Sequence, residues 1–192
     1  MNKEKIIGTI KSSIEVKEKL IQDEFVIREI QNAVDLIYDA FKKGNKIFFC
    51  GNGGSAADAQ HLAAEFSGRF YIDRKALPAE ALHCNTSYLT AVANDYSYDL
   101  VYSRLIEGVA TRGDVLVGIS TSGNSKNIVN AFEKAKELGI KRISLTGEGG
   151  GEMKKNSEIS INVKSNDTPR IQESHILIGH IICELVESAI FS

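Results

Sequence analysis

The sequence predicts an α/β fold, a three-layer αβα sandwich around a mostly parallel five-stranded sheet. Five short apolar runs have the length of buried strands, and most are separated by segments with helical periodicity. Strands that alternate with helices are typical of a parallel sheet covered on both faces. Two of the runs also end in loops rich in glycine or serine. The strands are expected at about 47–50, 79–84, 115–119, 141–146 and 159–163.

Residues 1–45 precede the first strand and carry helical periodicity. Apolar residues recur there at three- and four-residue steps in two successive series, and Gly44 after two lysines is a typical helix stop. We interpret this stretch as two amphipathic helices placed ahead of an αβα core of residues 46–192, all within one domain. Such a pair most often packs against a partner subunit or across the sheet.

The first strand leads into a glycine turn and then a helix. The run 47–50 ends at Gly-Asn-Gly-Gly (51–54, the glycine loop), where the backbone can turn sharply and approach a ligand. Ser55 is expected to cap an alanine-rich helix at 56–66. A helix start of this kind presents free N–H groups and a positive dipole end, which suit an anion or sugar hydroxyls.

Two further patterns in this stretch allow more than one interpretation. Gly51-x-Gly53-x-x-Ala56 fits the loose dinucleotide fingerprint, so a nicotinamide-dependent oxidoreductase is one alternative function. His61 and Glu65 lie four residues apart and project from the same helix face. They are either part of a metal or catalytic site or an ordinary surface pair.

A second candidate ligand loop follows the third strand. Its sequence, Ser-Thr-Ser-Gly-Asn-Ser (120–125, the serine loop), places four hydroxyls before a helix expected at 126–138. Hydroxyls and N–H groups at a helix start suit a phosphate ester, and the lack of Gly-Lys-Ser/Thr excludes a nucleotide P-loop. A turn that only caps the helix would explain one or two of these hydroxyls. Because the carboxyl ends of parallel strands meet at one edge, both loops are expected to share a crevice.

The remaining segments continue the alternation. Helices are expected at about 85–93 and 100–109, with Asn94 and Asp95 in a polar break between them. The alternating run 159–163 is typical of an edge strand.

The last helix is expected from about residue 167 to 190, with Pro169 in its first turn, where proline is tolerated. Its apolar residues cover much of the circumference, and a helix apolar nearly all round must be buried on most sides. A single sheet of this size leaves its outer helices half exposed. We therefore expect another subunit to cover this helix.

Composition limits the partners and the compartment. The 192 residues are 43% hydrophobic and 25% charged with a formal net charge of -2, so no electrostatic case exists for nucleic acid or an anionic membrane surface. No apolar run approaches the ~20 residues that span a bilayer, and the N-terminus lacks the apolar core of a signal peptide. Cys50, Cys84 and Cys183 are far apart and odd in number, as expected for free thiols in a reducing compartment. We expect a cytoplasmic protein.

Four motifs together resemble the phosphoheptose isomerases, a family with the sugar isomerase (SIS) fold. They are Cys-Gly-Asn-Gly-Gly-Ser-x-x-Asp-Ala-x-His-x-x-x-Glu at 50–65, Ala-Asn-Asp at 93–95, Ser-Thr-Ser-Gly-Asn-Ser at 120–125, and Arg-Ile-Gln-Glu-x-His at 170–175 with His180. The resemblance covers essentially the whole chain. It implies interconversion of sedoheptulose 7-phosphate and D-glycero-D-manno-heptose 7-phosphate through an enediol, the first step towards bacterial lipopolysaccharide or capsule heptose. It also implies a homotetramer with sites at subunit interfaces and one Zn²⁺ ion per subunit.

The resemblance further implies roles for single residues. The phosphate would be held by Ser120, Thr121, Ser122 and Ser125. Other substrate-binding residues would be Asn52, Gly53, Ser55, Asn94, Asp95, Thr168 and Gln172. The metal would be surrounded by His61, Glu65, Gln172 and His180. Glu65 would be the base that moves a proton between C1 and C2, and His180 would carry protons for the oxygens and for ring opening. Two histidines with carboxylate and amide oxygens suit a zinc ion that polarises O1 and O2.

The spacing of two implied ligands points to an interface. Gln172 and His180 are eight residues apart, about 12 Å along one helix axis, a long distance for two ligands of one ion. An irregular helix start or a ligand from a neighbouring chain would ease their convergence, and we expect the site to be completed across an interface. Arg170 and Glu173 are expected in ion pairs, and His175 in a supporting or interface position.

The main rival is a noncatalytic member of the same fold that associates with a replication initiator or senses sugar phosphates. Such a protein is expected to have lost the acid–base residues. This sequence keeps His61, Glu65, Gln172 and His180 together, which favours an enzyme.

Overall fold

Five parallel strands form the middle layer of the computed structural model, which describes residues 2–191. They are β1 (Ile47–Gly51), β2 (Ala79–Ala81), β3 (Val115–Ser120), β4 (Lys141–Gly147) and β5 (Ile159–Val163). Their order is β2-β1-β3-β4-β5, and every neighbouring pair is parallel. The predicted α/β architecture is confirmed, and β5 is an edge strand as expected.

Eight α-helices accompany the sheet in the described part of the chain. They are α1 (Asn2–Gln22), α2 (Glu24–Lys42), α3 (Gly54–Ser67), α4 (Thr86–Asp95), α5 (Val101–Val109), α6 (Lys126–Glu137), α7 (Gly151–Lys155) and α8 (Thr168–Phe191). A short 3-10 turn at Tyr98–Leu100 precedes α5. This turn and α7 were not predicted, because three and five residues are too few for a periodic pattern to show.

The helices divide into two layers, one on each face of the sheet. On one face α2, α3 and α8 contribute buried side chains to a core with the strands. On the other face α4, α5, α6 and α7 contribute to a second core. The three-layer sandwich predicted from the alternation of elements is therefore present.

Two local predictions are wrong. The second strand, expected at 79–84, ends at Ala81, and the chain turns so that Cys84 N donates to Ala81 O at 3.4 Å. Ser55 does not cap α3, which begins at Gly54. The cap position belongs to Gly53, whose φ of +55° favours glycine, and Ser55 is buried with 4% exposure.

The two N-terminal helices differ in burial. Helix α2 lies in the core, whereas α1 buries only Val16 and Leu20. Four isoleucines of α1 are 42–59% exposed, namely Ile6, Ile7, Ile10 and Ile14. Between the helices, Asp23 caps α2 by accepting from two backbone N–H groups. Packing of α1 in an oligomer stays a prediction.

Helix α8 begins at Thr168 with Pro169 in its first turn, as predicted. By length and composition alone this helix could cross a membrane. It packs instead against α2 and α3, and it carries four buried polar side chains, Arg170, Ser174, His175 and Glu187. These are properties of a core helix.

Candidate active site

The carboxyl ends of β1 and β3 bring the two ligand loops together. These strands are neighbours, with Gly51 in register with Ile119, so the glycine loop and the serine loop leave the sheet side by side. Asn52 of the glycine loop and Asn127 of α6 exchange two hydrogen bonds of 2.9 Å. The expectation that the two loops lie in one crevice agrees with this geometry.

The hydroxyls of the serine loop lie close to one another. Ser120 Oγ is 3.0 Å from Ser125 Oγ and 3.4 Å from Ser122 Oγ. Ser125 occupies the cap position of α6 without a side-chain cap bond, so helix capping does not explain its hydroxyl. Clustered hydroxyls next to the first N–H groups of a helix suit an anion. Thr121 and Thr168 line an adjoining pocket of about 240 Å³.

His61, Glu65 and His180 (the His–Glu–His group) converge beside α3. The Nε2 atom of His61 lies 2.9 Å from Nε2 of His180 and 3.1 Å from Oε1 of Glu65. Ligand atoms of all three residues lie within 4.8 Å of one another. The side chain of His61 is 50% exposed and that of Glu65 is 20% exposed, so a ligand can reach them.

Close packing of α3 against α8 makes this convergence feasible. A Cβ atom added to Gly179 would lie 2.5 Å from Cδ1 of Leu62, the neighbour of His61. Gly179 therefore lets the two helix backbones approach at the level of His61 and His180. At the start of α3, a Cβ on Gly54 would lie 2.7 Å from Nε2 of Gln172. The two helices thus run side by side in the same direction.

The His–Glu–His group fits a divalent metal ion. Tetrahedral zinc with bonds of about 2.0–2.1 Å holds its ligand atoms about 3.3 Å apart, close to the separations that His61 makes here. Two imidazoles and a carboxylate are a donor set of catalytic zinc sites, and imidazole also suits other transition metals. The group could therefore hold a metal.

Gln172 does not join this group through the contacts seen within one chain. Its side chain lies against Gly54, seven residues before His61 on α3. It is also eight residues before His180, about 12 Å along α8. The structure brings three of the four predicted metal ligands together, and Gln172 as a ligand stays a prediction.

Asn94 and Asp95 hydrogen-bond to each other. They form the end of α4, where a polar break was expected, and Asn94 Nδ2 donates to Asp95 Oδ1 at 2.9 Å. Both are exposed. Their contact with substrate stays a prediction.

A buried ion pair behind the His–Glu–His group was missed by sequence reasoning. Arg74 Nε and Glu187 Oε1 are 2.7 Å apart, and both side chains are 2% exposed. Arg74 also donates to the carbonyl of Glu65, which ties the pair to the end of α3. The two residues are 113 positions apart in the sequence, so no local pattern could have linked them.

The Glu187 carboxylate also orders the segment after α3. Burial raises the pKa of Glu187, but bonds from the N–H groups of Phe70, Tyr71 and Ile72 and from Arg74 outweigh burial and hold the pKa below its usual value. The Phe70 ring in turn lies 5.6 Å from the His180 ring. The ion pair thus holds in place the main chain at Glu65 and the Phe70 ring beside His180.

His175 is a core residue, so of the two expected positions the interface is excluded and the supporting position stays a prediction. It is fully buried within one chain, with Nε2 3.1 Å from the carbonyl of Thr146 and no partner for Nδ1. Burial lowers the pKa of His175 to about 4. Arg170 and Glu173 form an ion pair as expected, and Arg170 also donates to the carbonyl of Thr9 in α1.

Comparison with known proteins gives one consistent result. Residues 11–147 match the family model described as SIS domain. The chain is 55% identical to a phosphoheptose isomerase of Clostridium acetobutylicum over 97% of this chain and 95% of that protein. A phosphoheptose isomerase of Aneurinibacillus thermoaerophilus is 53% identical, over 95% and 92%. The solved phosphoheptose isomerase of Neisseria gonorrhoeae superposes with a TM-score of 0.92 at 39% identity, over 98% and 100% of the chains.

Proposed function

The chain belongs to the phosphoheptose isomerase family of SIS-domain proteins, and we propose that it interconverts sedoheptulose 7-phosphate and D-glycero-D-manno-heptose 7-phosphate. The observation that carries the proposal is the convergence of His180 of α8 with His61 and Glu65, which lie on a helix that starts at the glycine loop. His61 lies about 10 Å along α3 from Gly54. That separation suits an extended sugar whose phosphate and carbonyl are at opposite ends.

Isomerisation moves one proton between two adjacent carbons. Glu65 accepts the proton from one carbon, which forms the enediol, and returns it to the neighbouring carbon. One carboxylate can serve both positions because C1 and C2 are a single bond apart. Oε1 of Glu65 faces His61 at 3.1 Å, which leaves Oε2 for this proton.

The oxygens need a separate proton carrier. As electrons shift from C–H into the enediol, the carbonyl oxygen becomes a hydroxyl and the adjacent hydroxyl becomes a carbonyl. His180 is assigned to give and take these protons, because its ring adjoins Glu65 and an imidazole nitrogen can donate or accept a proton. The same residue would assist opening of the sugar ring.

Zinc is the proposed metal of the His–Glu–His group, with Gln172 as a further ligand. When bound, the ion supplies Lewis-acid stabilisation of charge on O1 and O2. The donor set of two imidazoles and a carboxylate supports this assignment.

The phosphate is assigned to the serine loop, through Ser120, Thr121, Ser122 and Ser125. The clustering of three of these hydroxyls at the start of α6 supports it. The remaining sugar contacts are assigned to Asn52, Gly53, Ser55, Asn94, Asp95 and Thr168.

Neither alternative function is favoured. A noncatalytic member of the fold would have no use for the His–Glu–His group, and the relatives at 50–57% identity are named phosphoheptose isomerases. A nicotinamide oxidoreductase would leave the serine loop and this group without a role.

We assign the enzyme to the cytoplasm as a homotetramer whose sites are completed across interfaces. The exposed isoleucine face of α1 and the separation of Gln172 from the His–Glu–His group support this assembly. Mixed reassembly of inactive variants tests it. Glu65 and His180 adjoin in one chain, so E65Q and H180A proteins are not expected to complement each other. H180A and Q172A proteins are expected to recover a fraction of sites, and no recovery in verified mixed tetramers would contradict a shared site.

Incubation with sedoheptulose 7-phosphate tests the proposed function. We expect formation of the aldose heptose 7-phosphate, and much slower conversion of unphosphorylated sedoheptulose because the serine loop then has no anion to bind. A folded protein that does not convert the phosphate ester, with or without added Zn²⁺, would overturn the proposal.

A further inference from the structure

Asn127 of α6 and Tyr98, which both hydrogen-bond to Asn52 of the glycine loop, have no place in the roles assigned above. Asn52 Nδ2 donates to Asn127 Oδ1, and Asn127 Nδ2 donates back to Asn52 Oδ1, both at 2.9 Å. Tyr98 Oη donates to the same Asn52 Oδ1 at 3.1 Å. Asn127 is only 2% exposed, whereas Asn52 is half-buried and open to a ligand. Asn127 therefore acts on a ligand only through Asn52.

The hydrogen-bond capacity of Asn52 is almost fully used. A side-chain amide has two N–H donors and an oxygen that accepts two bonds. Both acceptor positions of Oδ1 are taken by Asn127 and Tyr98, and one N–H is taken by Asn127. One N–H donor is left. Exchanging N and O of Asn52 alone would set two NH₂ groups against each other, so the orientation of Asn52 is tied to that of Asn127.

The backbone of the glycine loop is held from the same side. The buried Tyr102, one turn after Tyr98, donates its hydroxyl to the carbonyl of Gly51. The main chain before Asn52 and the side chain of Asn52 are thus both anchored before any ligand arrives. A side-chain amide that is ordered in this way loses little conformational entropy when a ligand binds.

We propose that Asn127 and Tyr98 are positioning residues that make Asn52 a single N–H donor aimed at an oxygen acceptor of the sugar phosphate. The acceptor is a carbonyl or hydroxyl oxygen of the sugar, and this choice of ligand rests on the proposed function. Neither positioning residue touches the reacting atoms. A ligand that places an N–H or ammonium group next to Asn52 would set two hydrogen-bond donors against each other, so its binding is disfavoured.

Substitutions on both sides of Asn52 test this assignment. Y98F removes one hydroxyl from an exposed side chain, and N127A removes both bonds of the amide pair. N130A is the matched control, because Asn130 lies one turn further along α6 and donates to the carbonyl of Asp99. We expect kcat/KM for sedoheptulose 7-phosphate to fall about tenfold in N127A and about threefold in Y98F, as when one hydrogen bond is no longer held in place. N130A should match the wild type.

The double variant with N52A separates positioning from a structural role. If Asn127 acts through Asn52, adding N127A to N52A causes no further loss of kcat/KM. Affinity for inorganic phosphate, a probe of the serine loop alone, should stay within twofold of wild type in N127A and Y98F.

Two results would overturn the assignment. The first is a loss of kcat/KM in N127A that is also seen when N127A is added to N52A, or that comes with an equal loss of affinity for inorganic phosphate. The other is wild-type kcat/KM in Y98F, which decides the matter if N127A fails to fold. A wild-type protein that does not turn over the sugar phosphate would instead contradict the proposed function, so the two failures are distinguishable.

Discussion

The exposure of each hydroxyl group determines which serines of the serine loop can contact a phosphate. Ser120 ends β3 with 4% exposure and contacts both other serines, whereas Ser122 is exposed. Ser120 therefore holds the cluster in place, and Ser122 is the hydroxyl most open to an incoming ester.

Replacing Ser122 by alanine is expected to weaken substrate binding. The change removes a charge-assisted hydrogen bond worth about 1.5–3 kcal/mol, so KM should rise at least about tenfold while kcat changes little. Steady-state kinetics with the sugar phosphate measure this. S87A, an exposed serine of α4, is the control. An unchanged KM in S122A would remove the serine loop from phosphate binding.

The buried His175 is expected to make stability depend on pH. Its pKa is about 4 in the folded protein and about 6.5 when unfolded, so the unfolded state binds the extra proton between these values. The contribution of the neutral His175 to the free energy of unfolding is fully present above about pH 6.5 and is lost as the pH falls towards 4. It amounts to about 3 kcal/mol.

Urea unfolding of wild type and H175L at a series of pH values checks this. The difference in free energy of unfolding cancels groups common to both proteins. We expect the wild type to lose more stability than H175L between pH 6.5 and 4, with a constant difference above pH 7. Parallel curves over the whole range would contradict a neutral buried imidazole.

At the scale of elements, the contact between α3 and α8 sets the site. Gly179 allows the approach, and the Arg74–Glu187 pair secures the far end of the same contact. The two helices supply His61, Glu65 and His180, and neither could hold the three alone.

The substitution G179A tests the role of this close approach. The added methyl overlaps the buried Leu62, and overpacking of this kind costs about 1–3 kcal/mol. We expect a lower melting temperature and weaker binding of Zn²⁺, because His180 moves away from α3. G108A is the matched control, since a Cβ there meets nothing within 4 Å. Wild-type stability and metal affinity in G179A would show that the helices do not need this contact.

The sequence predicts elements well where a pattern is long and poorly where it is short. The five apolar runs identify the five strands, and periodicity identifies the long helices. Ser55 was wrongly expected to cap α3, because the positive φ of Gly53 starts the helix two residues earlier than predicted, a backbone property that composition does not reveal. Helix α7 is too short to show a period.

At the scale of the whole molecule, local motifs predict which residues belong to the site but not the distances between these residues. His61 and Glu65 can be paired from their spacing on one helix. His180 lies 119 residues from His61, so its approach depends on how α8 packs and was implied only by family resemblance. The Asn52–Asn127 pair was missed for the same reason, because its partners are 75 residues apart.

The most direct measurement of the central claim is solvent exchange at the reacting carbons. In deuterium oxide the wild type should place deuterium at C1 or C2 of the heptose phosphate as Glu65 exchanges its proton with solvent. E65Q keeps size and hydrogen bonding but accepts no proton, so exchange should fall at least about a hundredfold while the fold and phosphate affinity survive. E133Q, an exposed residue of α6, serves as the control. Exchange in E65Q at the wild-type rate would show that another residue is the base and would contradict the account.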